Sequence, residues 1–202
     1  MNGNQYENLV TLETGLPIWK RFFTVSPLVL IGTRDSSQEF NLAPKHMAFP
    51  MGWDNYFAFV CTPTHTTYQN IEREKTFTVT YPRPTQVIFT SLSAAPRDDD
   101  NFKPSLVALP IFPANHIDGP FVQDGYVFLE CQLNRIVDDF GRNSLIVGEI
   151  IAAYVHKEAL RAAERDDGEL IFHAPLLAYL EPGRFARIEQ TFAFPFPSGF
   201  RL

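Results

Sequence analysis

Two short segments of the chain combine residue types that can hold a ligand. The first is Asn41-Leu42-Ala43-Pro44-Lys45-His46-Met47, in which a proline stands inside a run that otherwise reads as a strand. Proline has no N–H for a strand ladder, so pairing is expected to be interrupted at Pro44. That frees neighbouring backbone groups to meet a flat heterocycle, although a kinked edge strand explains the same residues. The second runs from Cys61 to Ile71, where a strand passes through the hydroxyl-rich turn Thr62-Pro63-Thr64-His65-Thr66-Thr67 into a helix. A helix N-terminus offers unpaired N–H groups and the positive end of a dipole. With threonine hydroxyls beside them, these suit a phosphomonoester. A well-capped surface helix, with Thr67 as its cap and Ile71 as its core contact, needs the same residues.

The other chemistry-bearing residues carry weaker patterns. None of the five histidines has an HxH or HxxxH relation to another, so no metal site is expected. His116 and His173 fall in loop-like sequence and are read as solvent-facing or internally satisfied. Asp98-Asp99-Asp100 lacks the glycine and the spaced oxygen donors of a calcium loop and is read as solvated. Asp139-Phe140-Gly141 is a turn, because the glycine-rich and catalytic loops of a kinase are missing. Neither GxGxxG nor GxxxxGK[ST] occurs, so no dinucleotide fold or P-loop is expected. No catalytic side chain is assigned.

The elements that must position the two segments read as mainly β. Leu28 to Thr33 is a strand, Asp35 to Gln38 a turn and Phe40 to Phe49 the antiparallel return. Tyr56 to Cys61 is a third strand, Thr67 to Glu74 a short helix and Phe77 to Tyr81 a fourth strand. Gln86 to Ala95 is a weak helix ended by Pro96, and a proline-rich excursion continues to Pro120 as a lid or dimer arm. Gly125 to Val137 and Ser144 to Val155 are long strands joined across Asp138 to Gly141. In the first of these, Val127, Leu129, Cys131 and Leu133 alternate with Tyr126, Phe128, Glu130 and Gln132, as in a barrel wall. Lys157 to Arg165 is read as a helix stopped near Gly168. The phenylalanines from Phe192 to Phe200 are read as core or dimer contacts. Without βαβ alternation, these elements favour a small antiparallel barrel with short peripheral helices.

Composition bounds the function. The 202 residues, 45% hydrophobic, suffice for one core, and one domain over 1–202 is expected, with 1–15 as a flexible or docking arm. A formal net charge of -6 argues against a nucleic-acid partner. Cys61 and Cys131 lie in apolar runs and are read as buried reduced thiols. No run approaches the ~18 apolar residues of a membrane span, and no signal-peptide pattern opens the chain, so a cytoplasmic location is expected.

Three elements in order, Asn41-Leu42-Ala43-Pro44, Thr67-Tyr68-Gln69-Asn70-Ile71 and Val147-Gly148-Glu149-Ile150, resemble the flavin reductase-like family over roughly residues 22 to 190. The resemblance implies a mainly β fold, the FMN-binding split β-barrel, which is an antiparallel Greek-key-like barrel with short peripheral helices. It also implies a homodimer holding FMN non-covalently near the subunit interface. Carried over by position, Asn41, Leu42, Ala43, Pro44 and Lys45 would line the isoalloxazine and ribityl chain. Cys61, Thr62, Thr67 and Asn70 would approach the ribityl and phosphate. Two functions follow from the resemblance. One is hydride transfer from NAD(P)H to flavin and on to an acceptor or partner oxygenase. The other is flavoredoxin-like electron transfer without pyridine-nucleotide activity. Some family members carry His just ahead of the Gly-Glu strand; here Arg142-Asn143-Ser144 stands there, so no nicotinamide-side role is transferred. A flavin-free barrel used for binding is the third reading.

Overall fold

The computed structural model of the chain describes residues 6–96, 98, 103–107 and 109–199. Of the acidic run at 98–100, residues 99 and 100 lie outside the described residues, as does residue 200 of the aromatic tail. The chain opens with a 3-10 turn at Trp19–Arg21 and strand β1 (Thr24–Pro27), followed by β2 (Val29–Arg34), β3 (Phe40–Lys45), β4 (Ala48–Pro50) and β5 (Tyr56–Cys61). Helix α1 (Thr66–Glu74) and β6 (Thr76–Tyr81) come next. A 3-10 turn at Pro84–Gln86, α2 (Val87–Leu92), α3 (Pro104–Val107), β7 (Ile111–Pro113) and β8 (Pro120–Val122) then make up the excursion. The long strands β9 (Val127–Phe140) and β10 (Asn143–Val155) are followed by α4 (Asp167–His173), β11 (Leu176–Glu181) and β12 (Arg184–Ile188).

Seven strands form one antiparallel sheet in the order β3-β2-β6-β9-β10-β5-β4. Its inner face carries the core: Val29, Ile31, Phe59, Phe77 and Ile146 pack with Tyr68 and Ile71 of α1. The connection between β3 and β4 fixes its curvature. These strands lie at opposite edges of the sheet, yet only His46 and Met47 join them. Six interstrand gaps in a flat sheet would separate the edges by about 29 Å. Three Cα steps reach at most about 11 Å. The sheet therefore curls into a half-barrel whose two lips meet at Lys45 and Ala48. The return strand expected to run from Phe40 to Phe49 is thus two strands on opposite lips.

The expected excursion is partly ordered. β7 and β8 pair with each other, and β8 lies on the outer face of β6. The Thr78 hydroxyl donates to the Pro120 carbonyl, and the Val122 N–H donates to Thr80 Oγ1 at 3.2 Å. A second apolar cluster, Leu30, Leu42, Leu109 and Val122, seals this layer against β2 and β3. A separate three-stranded sheet, β1-β11-β12, was not foreseen from the sequence.

Two helix starts differ from expectation. α1 begins at Thr66 with His65 as its N-cap, so Thr67 lies inside the first turn and is not the cap. Lys157 to Arg165 is not helical. The Asp166 carboxylate accepts from the Glu169 N–H at 2.9 Å and starts α4 just beyond, with Gly168 inside its first turn. The long hairpin also extends further than expected, with strand pairing reaching Phe140 and Asn143. Both cysteines are buried free thiols. Phe192, Phe194 and Phe196 are exposed, so they are not core within this chain. Among the described residues no helix is long and apolar enough to cross a membrane.

Candidate functional site

Strand β3 forms one lip of the split. Its register against β2 sets Asn41, Ala43 and Lys45 on the side of Thr33, Ile31 and Val29, which faces α1 and the core. Leu42 turns the other way, into the second cluster with Leu30. Pairing is not interrupted at Pro44, which stays in register with Leu30. The reason is position: β3 is an edge strand, and a proline nitrogen on the unpaired side loses no ladder bond. The outward Leu42 carbonyl accepts from Lys103 Nζ at 2.8 Å, and the same ammonium donates to the Ser93 carbonyl. A buried lysine thereby clips the excursion to the rim of β3. Along an antiparallel strand, each residue sends its N–H and C=O to the same side. The Leu42 N–H and Pro44 carbonyl therefore share that outer edge as one donor and one acceptor.

Lys45 ends β3 and reaches across the split toward β5, where its charge acts on the Cys61 thiol; that thiol donates to the Thr62 carbonyl at 3.8 Å. Burial pushes that thiol up, against the opposing pull of Lys45, so Cys61 stays protonated. Burial lowers His65, and the charge of Lys45 lowers it further. Burial also lowers His46. Glu181, 3.3 Å from its Nε2, opposes this, while Lys45 adds to it. Lys45 has no carboxylate at ion-pair distance among the described residues; Glu181 stands beyond it, against His46. A half-buried cation with no counter-charge, beside the N-terminus of a nine-residue helix, suits a phosphate.

Thr67, only 3% exposed, lies in the first turn of α1, and its hydroxyl makes no hydrogen bond among the described residues. The Thr62 hydroxyl donates to Asn143 Oδ1 at 3.2 Å and ties the turn to the start of β10. Asn70, one turn further along α1, faces β2: its Nδ2 donates to Thr33 Oγ1 at 2.9 Å. The structure therefore gathers Lys45, Cys61 and Thr67 at one end of α1, with Ala43 and Asn41 along the neighbouring strand. Leu42 takes part only through its backbone. Asn70, on the same helix face as Thr67 but a turn further on, is engaged with Thr33.

Several residues that shape this region gave no signal in the sequence. Thr33 and Lys103 belong to no motif, and His65 stands in the sequence only as part of a hydroxyl-rich turn. His116 does not belong to this site: it sits with Glu130 on the opposite face of the sheet, and its ring is 61% exposed. His173 lies on α4, exposed, 3.9 Å from Glu169.

Comparison with known proteins gives the fold and the family. Residues 21–186 match the family model described as the flavin reductase like domain. The 2-nitrobenzoate 2-nitroreductase of Pseudomonas fluorescens superposes with a TM-score of 0.77 at 21% identity, covering 96% of this chain and 99% of that one. Flavoredoxin of Desulfovibrio vulgaris gives 0.75 at 20% identity, covering 95% and 100%. Component B of nitrilotriacetate monooxygenase from Bacillus cereus gives 0.79 at 15% identity, covering 92% and 98%. At these identities the superpositions establish the split-barrel fold. The family match, which spans most of the chain, establishes more: this chain belongs to the flavin reductase like domain family.

Proposed function

We propose that this chain is an FMN-dependent oxidoreductase that acts as a homodimer in the cytoplasm, taking hydride from NAD(P)H and passing electrons to an acceptor or a partner oxygenase. The observation that carries the reading is the uncompensated Lys45 ammonium beside the first turn of α1, at the split of a flavin reductase-like barrel. Bound FMN would supply the hydride and electron chemistry. The chain's part is to bind and orient. Lys45, Thr67 and the α1 amides hold the phosphate. Ala43 and the outer edge of β3 lie along the ring. The neutral Cys61 thiol and Thr62 border the ribityl chain.

No side-chain acid or base is required by this assignment, in keeping with the neutral histidines around Lys45. A dimer is supported by the apolar side chains on the β4 lip: Met47, Phe49 and Met51 alternate outward, and Trp53 is 95% exposed. The similarity to component B of a monooxygenase supports a partner oxygenase, and the similarity to flavoredoxin supports the electron-carrier alternative.

Anaerobic mixing with NADH or NADPH separates the two functions. The reductase reading expects loss of the flavin band near ~450 nm. A persistent band with either nucleotide, in protein that dithionite still bleaches, identifies the carrier.

A further inference from the structure

Hydrophobic contact alone does not fix the aim of α1. The helix has nine residues, too few to be stable in isolation, and Tyr68 and Ile71 hold it to the core. Apolar burial is non-directional and tolerates rotation about the helix axis, whereas a hydrogen bond weakens steeply once misaligned. The buried directional contact between α1 and β2 is the one from Asn70 Nδ2 to Thr33 Oγ1, at 2.9 Å between two fully buried side chains; an exposed one, from Arg73 to the Arg34 carbonyl, lies a turn further from the phosphate end. Arg73 locks the amide the right way round: its NH2 donates to Asn70 Oδ1 at 3.2 Å and to the Arg34 carbonyl at 2.8 Å. A guanidinium only donates, so the amide oxygen must face Arg73 and the amide nitrogen must face Thr33. Thr33 is also the register partner of Asn41 on β3, so one threonine indexes both the ring-side strand and the phosphate-side helix.

We propose that Asn70 is a positioning residue: its bond to Thr33 sets the rotation of α1 so that the first-turn amides and the Thr67 hydroxyl meet the phosphate, and Asn70 itself does not touch the cofactor. This rests on the FMN reading. Thr67 precedes Asn70 by three residues and lies on the same helix face, so a turn of the helix at Asn70 is transmitted directly to Thr67.

Dissociation constants of FMN and riboflavin, which differ by the phosphate, test the proposal. They are measured by flavin fluorescence quenching on wild type, Thr33→Val, Asn70→Ala, the double variant and Thr33→Ser. Thr33→Val and Asn70→Ala should each weaken FMN by about tenfold and leave riboflavin within about twofold, with the double variant no worse than either single one. Thr33→Ser, which keeps the hydroxyl, should restore the wild-type ratio. Two results overturn the proposal while leaving the FMN reading intact: Asn70→Ala weakens FMN but Thr33→Val does not, which marks a direct contact, or both flavins weaken equally, which marks a general structural role. Wild type that binds neither flavin removes the FMN reading, and the proposal with it.

Discussion

Replacing Glu130 with leucine should destabilise the protein by about 3–5 kcal/mol in urea unfolding, because several backbone donors lose their acceptor at about 1–3 kcal/mol for each one left unsatisfied. Glu130 is fully buried on β9 and receives the backbone N–H groups of Asn115, His116 and Ile117 at 3.1, 2.7 and 3.0 Å. The Tyr154 hydroxyl adds a fourth donor at 3.1 Å. The carboxylate thus fills a cradle that the 114–119 loop forms over the outer sheet face, and its removal strands three amides. Burial alone would raise this carboxyl. The N–H groups of His116 and Asn115, with the His116 ring and the Tyr154 hydroxyl, outweigh burial and hold it below the usual range. A carboxylate lowered in the folded state contributes stability that is complete above its unfolded value, about 4.3. That contribution is lost as pH falls through the folded value. Glu130→Gln should therefore be less stable than wild type at neutral pH and lose less stability on acidification below about pH 4. Parallel acid profiles for the two proteins would contradict this account of Glu130.

The second large effect is expected at Gly148. A Cβ there would lie 2.5 Å from Phe77 Cζ and 3.1 Å from Cys131 Cβ, and both side chains are fully buried. Phe77 cannot swing aside, because its ring packs edge-on against Phe59 with centroids 5.4 Å apart. Gly148→Ala should cost about 3 kcal/mol, the upper end for overpacking a dense core. Adding Phe77→Leu should recover part of the loss, since it removes the atoms that clash. A cost under about 1 kcal/mol for Gly148→Ala would show that the core yields there.

Gly148 also illustrates how much of the molecule was legible in its sequence. Val147-Gly148-Glu149-Ile150 marked the family, but the structure assigns its glycine to close packing against Phe77. Strands β2, β5 and β6 were readable because their apolar runs are bounded by turn residues. The splitting of the return strand at His46 and Met47 was not, since curling is a property of the whole sheet. β11 and β12 follow a helix whose start depends on one carboxylate, Asp166, and were missed with it. At the site, Lys45, Cys61 and Thr67 were named from position. The sequence could not show that they converge, nor that Asn70 turns away toward Thr33, a residue of no motif. Lys103 and Glu130 act by reaching across the chain to backbone groups, and such contacts leave no local pattern.

The central claim, that the split between β3 and α1 holds FMN, is tested most directly by the absorbance of the purified protein after incubation with FMN and removal of the unbound fraction. The account predicts a retained flavin band near ~450 nm, one FMN per chain, and release of unmodified FMN on denaturation. A colourless protein that quenches no FMN fluorescence at any ratio would contradict it.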